Sequence, residues 1–326
     1  MPTRVNRRDF VKGTAFASAA TMALCANATP AQAASAPVGD ALPPQPPQQE
    51  SLPMGKIGKV ELSRLMLGGN LLAGYAHARD LRYVSQLMRR YNTEAKILET
   101  LALAESLGIN CVNTPVWDEN VFLEKHWKRG GKMKWIAQAK LGENFDLVYF
   151  KKAMDMGACG VHMQGHVAEQ MVEEDRVDVI AKSVELVQRQ GGIAGVGAHG
   201  LEVIKRCEQA GVPADFYVKT LHGNKYPTAP RSAAETGKWG LGNYDNCWCN
   251  NPQEVIEFFA DVKKPWIAFK VMAAGAIPPA VAFPHAFNNG ADFVLAGMFD
   301  WQVEENVALA RKAVLEAQRE RGWRGT

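Results

Sequence analysis

The feature that most constrains this chain is an alternation. Short apolar runs recur along it, each followed by a polar or ionisable residue and then by a helical stretch. The runs lie at 63–67, 109–112, 134–139, 158–161, 193–197, 215–221, 267–269 and 293–296. They end at Asn70, Asn113, Lys140, His162, His199, His222, Lys270 and Gly297. Strands that alternate with helices form a parallel sheet with right-handed crossovers. Eight such units close into a (β/α)8 barrel, whose chemistry sits at the C-terminal ends of its strands. The expected fold class is therefore α/β, a single (β/α)8 TIM barrel. The stretch Gly160-Val161-His162-Met163-Gln164-Gly165-His166 exemplifies the pattern, a buried strand opening into a polar loop.

The barrel does not take the whole chain. Asn6-Arg7-Arg8-Asp9-Phe10 precedes an apolar run over 13–26, and Ala31-Gln32-Ala33 supplies small residues for cleavage. Residues 1–33 therefore resemble a twin-arginine signal peptide, which exports folded proteins. That implies contact with the twin-arginine export machinery and a periplasmic or otherwise exported protein. Residues 34–53 form a Pro/Gln-rich linker with nothing to bury. The barrel domain is expected over 54–326. It should start with a hairpin over 55–62, and carry a long loop after strand 6, from Gly223 to Asn251. Loops of that length are usually lids or binding loops, and Trp239, Tyr244 and Trp248 within it could stack on a sugar or pin the loop down.

Charge narrows the partners. Arg4, Arg7, Arg8 and Lys12 against Asp9 give residues 1–33 a net +3, equal to the +3 of the whole chain. The mature domain is thus near neutral, which argues against nucleic acid. No later stretch is apolar enough to span a membrane. The expected partner is a small-molecule substrate. Among the six cysteines only Cys247 and Cys249 share a loop, so no disulfide framework is expected.

Consecutive strands ending in His162, His199 and His222 suggest convergent imidazoles. Such a set would suit a divalent transition metal (zinc, manganese or iron). Metal-free acid/base work is the rival. Lys140 and Lys270 could stabilise an oxyanion or enolate, with Asp118 orienting a lysine or acting as a base. Gly275 and Gly297 stand after the seventh and eighth strands, where many barrels bind phosphate or a cofactor through backbone N–H groups. A flavin or phosphorylated substrate there is a weaker option.

The stretch Gly55-Lys-Ile-Gly-Lys-Val-Glu-Leu-Ser-Arg-Leu-Met-Leu-Gly68 resembles the opening of the aldo/keto reductase superfamily. Leu107 to Thr114, Ile136-Ala-Gln-Ala-Lys140, Gly160-Val-His162 and Gly297 to Asn306 are similar to later segments of that family. The resemblance implies a barrel with Lys140 and His162 as catalytic residues and NADP(H) as cofactor. The departures are as telling. Asn113 stands where the family has Asp, Asp118 where it has the proton-donating Tyr, and His199-Gly200 where a Ser-Asn pair would hold the nicotinamide. A carboxylate at its ordinary pKa is already ionised and cannot readily replace a phenol as acid.

The leading expectation is an exported enzyme that has left the nicotinamide mechanism. It would act on a small polar carbonyl or carbohydrate-like substrate by metal-assisted or acid/base proton abstraction, as an isomerase or lyase does. The alternatives are an oxidoreductase with tightly bound NADP(H), and a non-catalytic periplasmic ligand-binding protein.

Overall fold

The computed structural model describes residues 51–78, 81, 83–116, 121–230 and 247–325. The signal peptide, most of the linker, Asp118, Trp239 and Tyr244 lie outside them.

The chain opens with an antiparallel hairpin, β1 (Met54–Ile57) and β2 (Val60–Ser63), paired in register from Met54↔Ser63 to Ile57↔Val60. Next come β3 (Leu65–Gly68), α1 (Tyr83–Tyr91), α2 (Glu94–Ser106), β4 (Cys111–Pro115), α3 (Val121–Lys128), β5 (Lys134–Ala139) and α4 (Val148–Asp155). They are followed by β6 (Gly160–Met163), α5 (Gly165–Glu173), α6 (Val177–Arg189), β7 (Ile193–Ala198), α7 (Leu201–Gln209) and β8 (Phe216–Thr220). After the long loop come α8 (Pro252–Asp261), β9 (Trp266–Phe269), α9 (Pro279–Asn288), β10 (Phe293–Gly297) and α10 (Asp300–Leu315). Strands β3 to β10 form a closed parallel barrel in sequence order, with β10 pairing back onto β3. The expected (β/α)8 barrel with an N-terminal hairpin is the fold of the chain.

Local chemistry explains the elements. In α2 the Thr93 hydroxyl accepts from Lys96 N–H at 3.4 Å and caps the helix. Leu98, Leu101 and Ala104 line its buried face. Pro252 opens α8 at its first turn, where no N–H is needed. Two helices were not expected from the sequence, α1 and α5. The second splits what reads as one long connection between β6 and α6, and it carries two residues of the candidate site.

The two faces of the sheet bury different sets. Met66, Cys111, Ile136, Phe216, Val218, Ile267, Phe293 and Leu295 fill the interior, and Ile57, Val60 and Leu62 of the hairpin pack onto them as a plug. The outer face packs against the helices. The floor is completed by the C-terminal segment, held by one acid. Asp292, fully buried before β10, accepts from Trp266 N–H at 3.0 Å, Arg321 Nη1 at 2.6 Å, Arg319 Nη2 at 3.2 Å and Arg324 N–H at 2.8 Å. The guanidinium groups of Arg64 and Arg319 lie 3.9 and 3.6 Å from the Trp323 ring centroid. The floor is therefore closed by a network of buried hydrogen bonds and ion pairs.

Removing the Asp292 charge would strand its arginines. Asp292→Asn is expected to cost about 3–5 kcal/mol of stability, the usual penalty for breaking a buried ion pair. Urea unfolding measures this, and a loss below about 1 kcal/mol would show that the arginines are satisfied by backbone carbonyls alone.

Candidate active site at the barrel mouth

The residues matched to the reductase pattern come first. Asn113 lies in the middle of β4, not at its end as expected, with its side chain buried, and its Nδ2 donates to Ile136 O at 2.9 Å and to His162 Nε2 at 3.0 Å. The other ring nitrogen, Nδ1–H, donates to Met163 O at 3.1 Å. His162 is thus a neutral imidazole with both nitrogens occupied, and burial pushes it down to about 4. Lys140 is exposed after β5, and among the described residues no hydrogen bond or ion pair joins it to Asn113 or His162. Asn113 and His162 are brought together; Lys140 is not joined to them.

His222 does something else. Its Nε2 accepts from the N–H groups of Trp248 and Cys249 at 3.0 and 3.1 Å, and its Nδ1–H donates to Gly223 O at 3.0 Å. It fastens both ends of the long loop to β8. Thr220 adds to this, its Oγ1 lying 2.8 Å from Trp248 O and 3.0 Å from His199 O. Behind it the buried Lys219 amine donates to Thr220 O and Oγ1 at 2.9 and 2.7 Å, and burial lowers its pKa. The expectation that His162, His199 and His222 share a metal is therefore corrected. Two of the three have no nitrogen lone pair to give, because hydrogen bonds already take them. Cys247 and Cys249 are both free thiols.

The convergent group is instead His166, Glu169 and His199. One donor atom from each lies within 4.8 Å of the other two. His166 and Glu169 stand one turn apart on α5, and such i,i+3 pairs share a helix face. Glu169 is buried. Its Oε1 accepts from His199 N–H at 2.6 Å and Gly200 N–H at 3.1 Å. His199 Nδ1 lies 3.1 and 3.3 Å from its two oxygens, and His166 Nδ1 lies 3.6 Å from Oε2. Burial would raise the Glu169 carboxyl, but the hydrogen bonds from His166 and His199 outweigh it and hold it down to about 2. Burial pushes His199 down to about 4 against the pull of Glu169. The resting pair is an ionised carboxylate and a neutral imidazole with Nδ1–H on Glu169. His199 Nε2 makes no hydrogen bond within the described residues and is not sealed from solvent. Gly165 is needed for this packing, since a Cβ there would come within 2.9 Å of the His199 ring.

Around this group stand Lys270, His77 and Trp248. Lys270 Nζ lies 3.4 Å from His77 Nε2 and 3.7 Å from the Trp248 ring centroid. His77 and Trp248 meet edge-on at 4.6 Å, and the His166 and His199 rings lie 4.9 Å apart. Partial enclosure, then the charges of Lys270, His199 and His166, lower the His77 pKa. Lys270 has a left-handed backbone, φ 55°, a conformation a non-glycine residue adopts only under local constraint.

The two predicted cofactor glycines have backbone tasks. Gly275, φ 90°, ends a tight turn in which Ala273 and Ala274 also have positive φ. Gly297 backs onto Gly68 of β3, and a Cβ on it would lie 3.1 Å from Leu71 Cγ. The first turn of α10 beyond Gly297 holds Asp300, which pairs with Lys96 Nζ at 3.0 Å. That helix end already carries an anion.

Of the residues singled out from the sequence, His199 and Lys270 lie in this cluster. Sequence reasoning missed Glu169, His77 and the part played by His166. The one signal was the His-x-x-Glu spacing at 166–169, legible only once that segment is taken as a helix.

His162 and His222 also make the fold acid-sensitive. Their folded pKa values, about 4 each, lie below the ordinary histidine value of roughly 6.5. The unfolded chain then binds more protons between those values. Stability is full above about pH 6.5 and falls as pH drops towards 4. Urea midpoints measured across pH 4–8 should show this decline, and His222→Gln should flatten it. An equal slope in that variant would show that His222 does not titrate on unfolding.

No protein-family model matches the chain, and no curated protein matches its sequence. Solved structures do match. A Pseudomonas aeruginosa protein named provisionally as an aldo-keto reductase is 19% identical, with a TM-score of 0.52, covering 85% of this chain and 98% of its own. A second structure so named, from the same organism, is also 19% identical with a TM-score of 0.52, covering 80% and 94%. At that identity the likeness shows the fold: this chain is built on the barrel of those aldo-keto reductase structures.

Proposed function

We propose that the chain is an enzyme working at the barrel mouth, acting on a small polar carbonyl or carbohydrate-like substrate by proton abstraction beside the carbonyl. The observation that carries this is the Glu169–His199 pair beside Lys270. A carboxylate that holds Nδ1–H leaves Nε2 as the basic nitrogen and stabilises the imidazolium formed when it takes a proton. The substrate C–H proton passes to His199 Nε2. Its electron pair forms the C=C bond of an enolate, and the former carbonyl oxygen takes the negative charge. Lys270, steadied by His77 and Trp248, is placed to meet that oxygen. With a neighbouring hydroxyl, passing its proton to the enolate oxygen and returning the carbon-bound proton to the former carbonyl carbon gives an isomerase; departure of a β-substituent with its bonding pair, as the carbonyl re-forms, gives a lyase.

The runner-up is an NADP(H)-dependent oxidoreductase. The shared fold and the Asn113–His162 pair favour it. The exposed Lys140 and the acid at the start of α10 count against it. Export by the twin-arginine route belongs to the proposal too. It rests on Arg7 and Arg8 with the apolar run behind them, and amino-terminal sequencing of the protein from a periplasmic fraction tests it.

Hydrogen–deuterium exchange is the direct assay. A panel of short hydroxy-aldehydes and hydroxy-ketones is incubated with the protein in D2O and followed by proton NMR. Exchange beside the carbonyl is expected, reduced about 100- to 10,000-fold in His199→Ala, and strongly reduced in Lys270→Met. No exchange with any member, together with nicotinamide released on denaturation, would overturn the proposal in favour of the reductase.

A further inference from the structure

We infer that His166, Glu169 and His199 form a binding site for one divalent transition metal, with zinc the best match. The inference concerns binding alone and does not rest on the proton-abstraction reading.

The argument is geometric. A tetrahedral ion with bonds of about 2.0–2.1 Å sets its ligand atoms roughly 3.3 Å apart. Glu169 Oε2 lies 3.3 Å from His199 Nδ1 and 3.6 Å from His166 Nδ1. The two imidazoles approach the same oxygen, and an ion between the three atoms would replace the ring protons that now point at it. The carboxylate is already oriented for one-oxygen ligation, because its Oε1 is committed to the N–H groups of His199 and Gly200. Outer contacts of this kind are what hold metal-binding carboxylates in place.

The supports are stiff. His166 and Glu169 share one helical turn of α5, and His199 follows β7 directly with its ring against Gly165. Two imidazoles and one carboxylate leave a fourth position for water or substrate, the pattern of an open zinc site, and also suit iron or manganese less specifically. His166 has a side chain 54% exposed, so the site is reachable from solvent. An ion bound through His199 Nδ1 would leave the ring proton on Nε2. It would then remove the free base used in the proton-abstraction step, so exchange belongs to the metal-free cluster and loading with zinc should suppress it.

The test uses the full chain, freed of metal by chelator and dialysis. Titration with zinc is followed by calorimetry, and with cobalt(II) by its visible absorption. One equivalent should bind, with the intense visible bands of a four-coordinate cobalt site. His166→Ala is the main variant because an exposed helix position tolerates truncation. It and Glu169→Gln should weaken binding more than about tenfold, while His285→Ala, on α9, keeps it. Absence of a one-to-one complex, or equal affinity in His166→Ala, would overturn the inference. No substrate is present in these titrations. A failed metal site leaves the exchange proposal standing, and failed exchange leaves the metal site standing.

Discussion

Glu169 gives one carboxylate oxygen to two successive backbone N–H groups, at His199 and Gly200, and meets the His199 ring with both. Each bond to the charged acceptor is stronger than a neutral one. Together they offset the cost of burying an acid, which would otherwise take up a proton. The consequence is mechanical as well as electrostatic. The end of β7 is locked to α5, the His199 tautomer is set, and Nε2 is aimed away from the carboxylate. Without Glu169 the mouth would keep its histidines and lose their order.

The floor works by the same device, a buried carboxylate that gathers donors. Asp292 gathers arginines from the C-terminal segment, and those arginines also tie to carbonyls of the helix layer, as Arg321 does to Phe259 O, Val262 O and Lys264 O. A buried acid at each end therefore organises the barrel. At the floor every lone pair is spent on structure. At the mouth one imidazole nitrogen remains unspent. This difference is what sets the mouth cluster apart from the scaffold network at the floor, and burial alone does not reveal it.

The alternation of apolar runs and helices made the barrel legible, because a strand buried on both faces and an amphipathic helix differ in period. The strand ends were legible less sharply: Asn113 and His162, expected just past their strands, lie inside β4 and β6. What His222 does was not legible. Its partners are the backbone N–H groups of Trp248 and Cys249, more than twenty residues away, and no side-chain pattern announces a backbone donor. Glu169 was hidden by a different cause. Its helix, α5, is only nine residues long and sits inside a connection already followed by a good helix. Spacing finds a pair such as His166 and Glu169 only when the period is known. His77 lay in a stretch with no period at all.

The location of the converging ionisable groups bears on the proposal. In the pattern of the aldo/keto reductases the matched residues come from β4, β5 and β6, namely Asn113, Lys140 and His162. Here Asn113 and His162 satisfy one another, and a neutral amide in place of an acid leaves that pair without charge to move. The ionisable groups that converge come instead from the ends of β6, β7 and β9 and from the loop after β3. A barrel tolerates such a shift because its strand ends are equivalent supports around one rim. Hydride transfer needs a proton donor beside the first set. Proton abstraction needs a base and a cation, and the reading proposed above assigns these parts to His199 and Lys270 on the second.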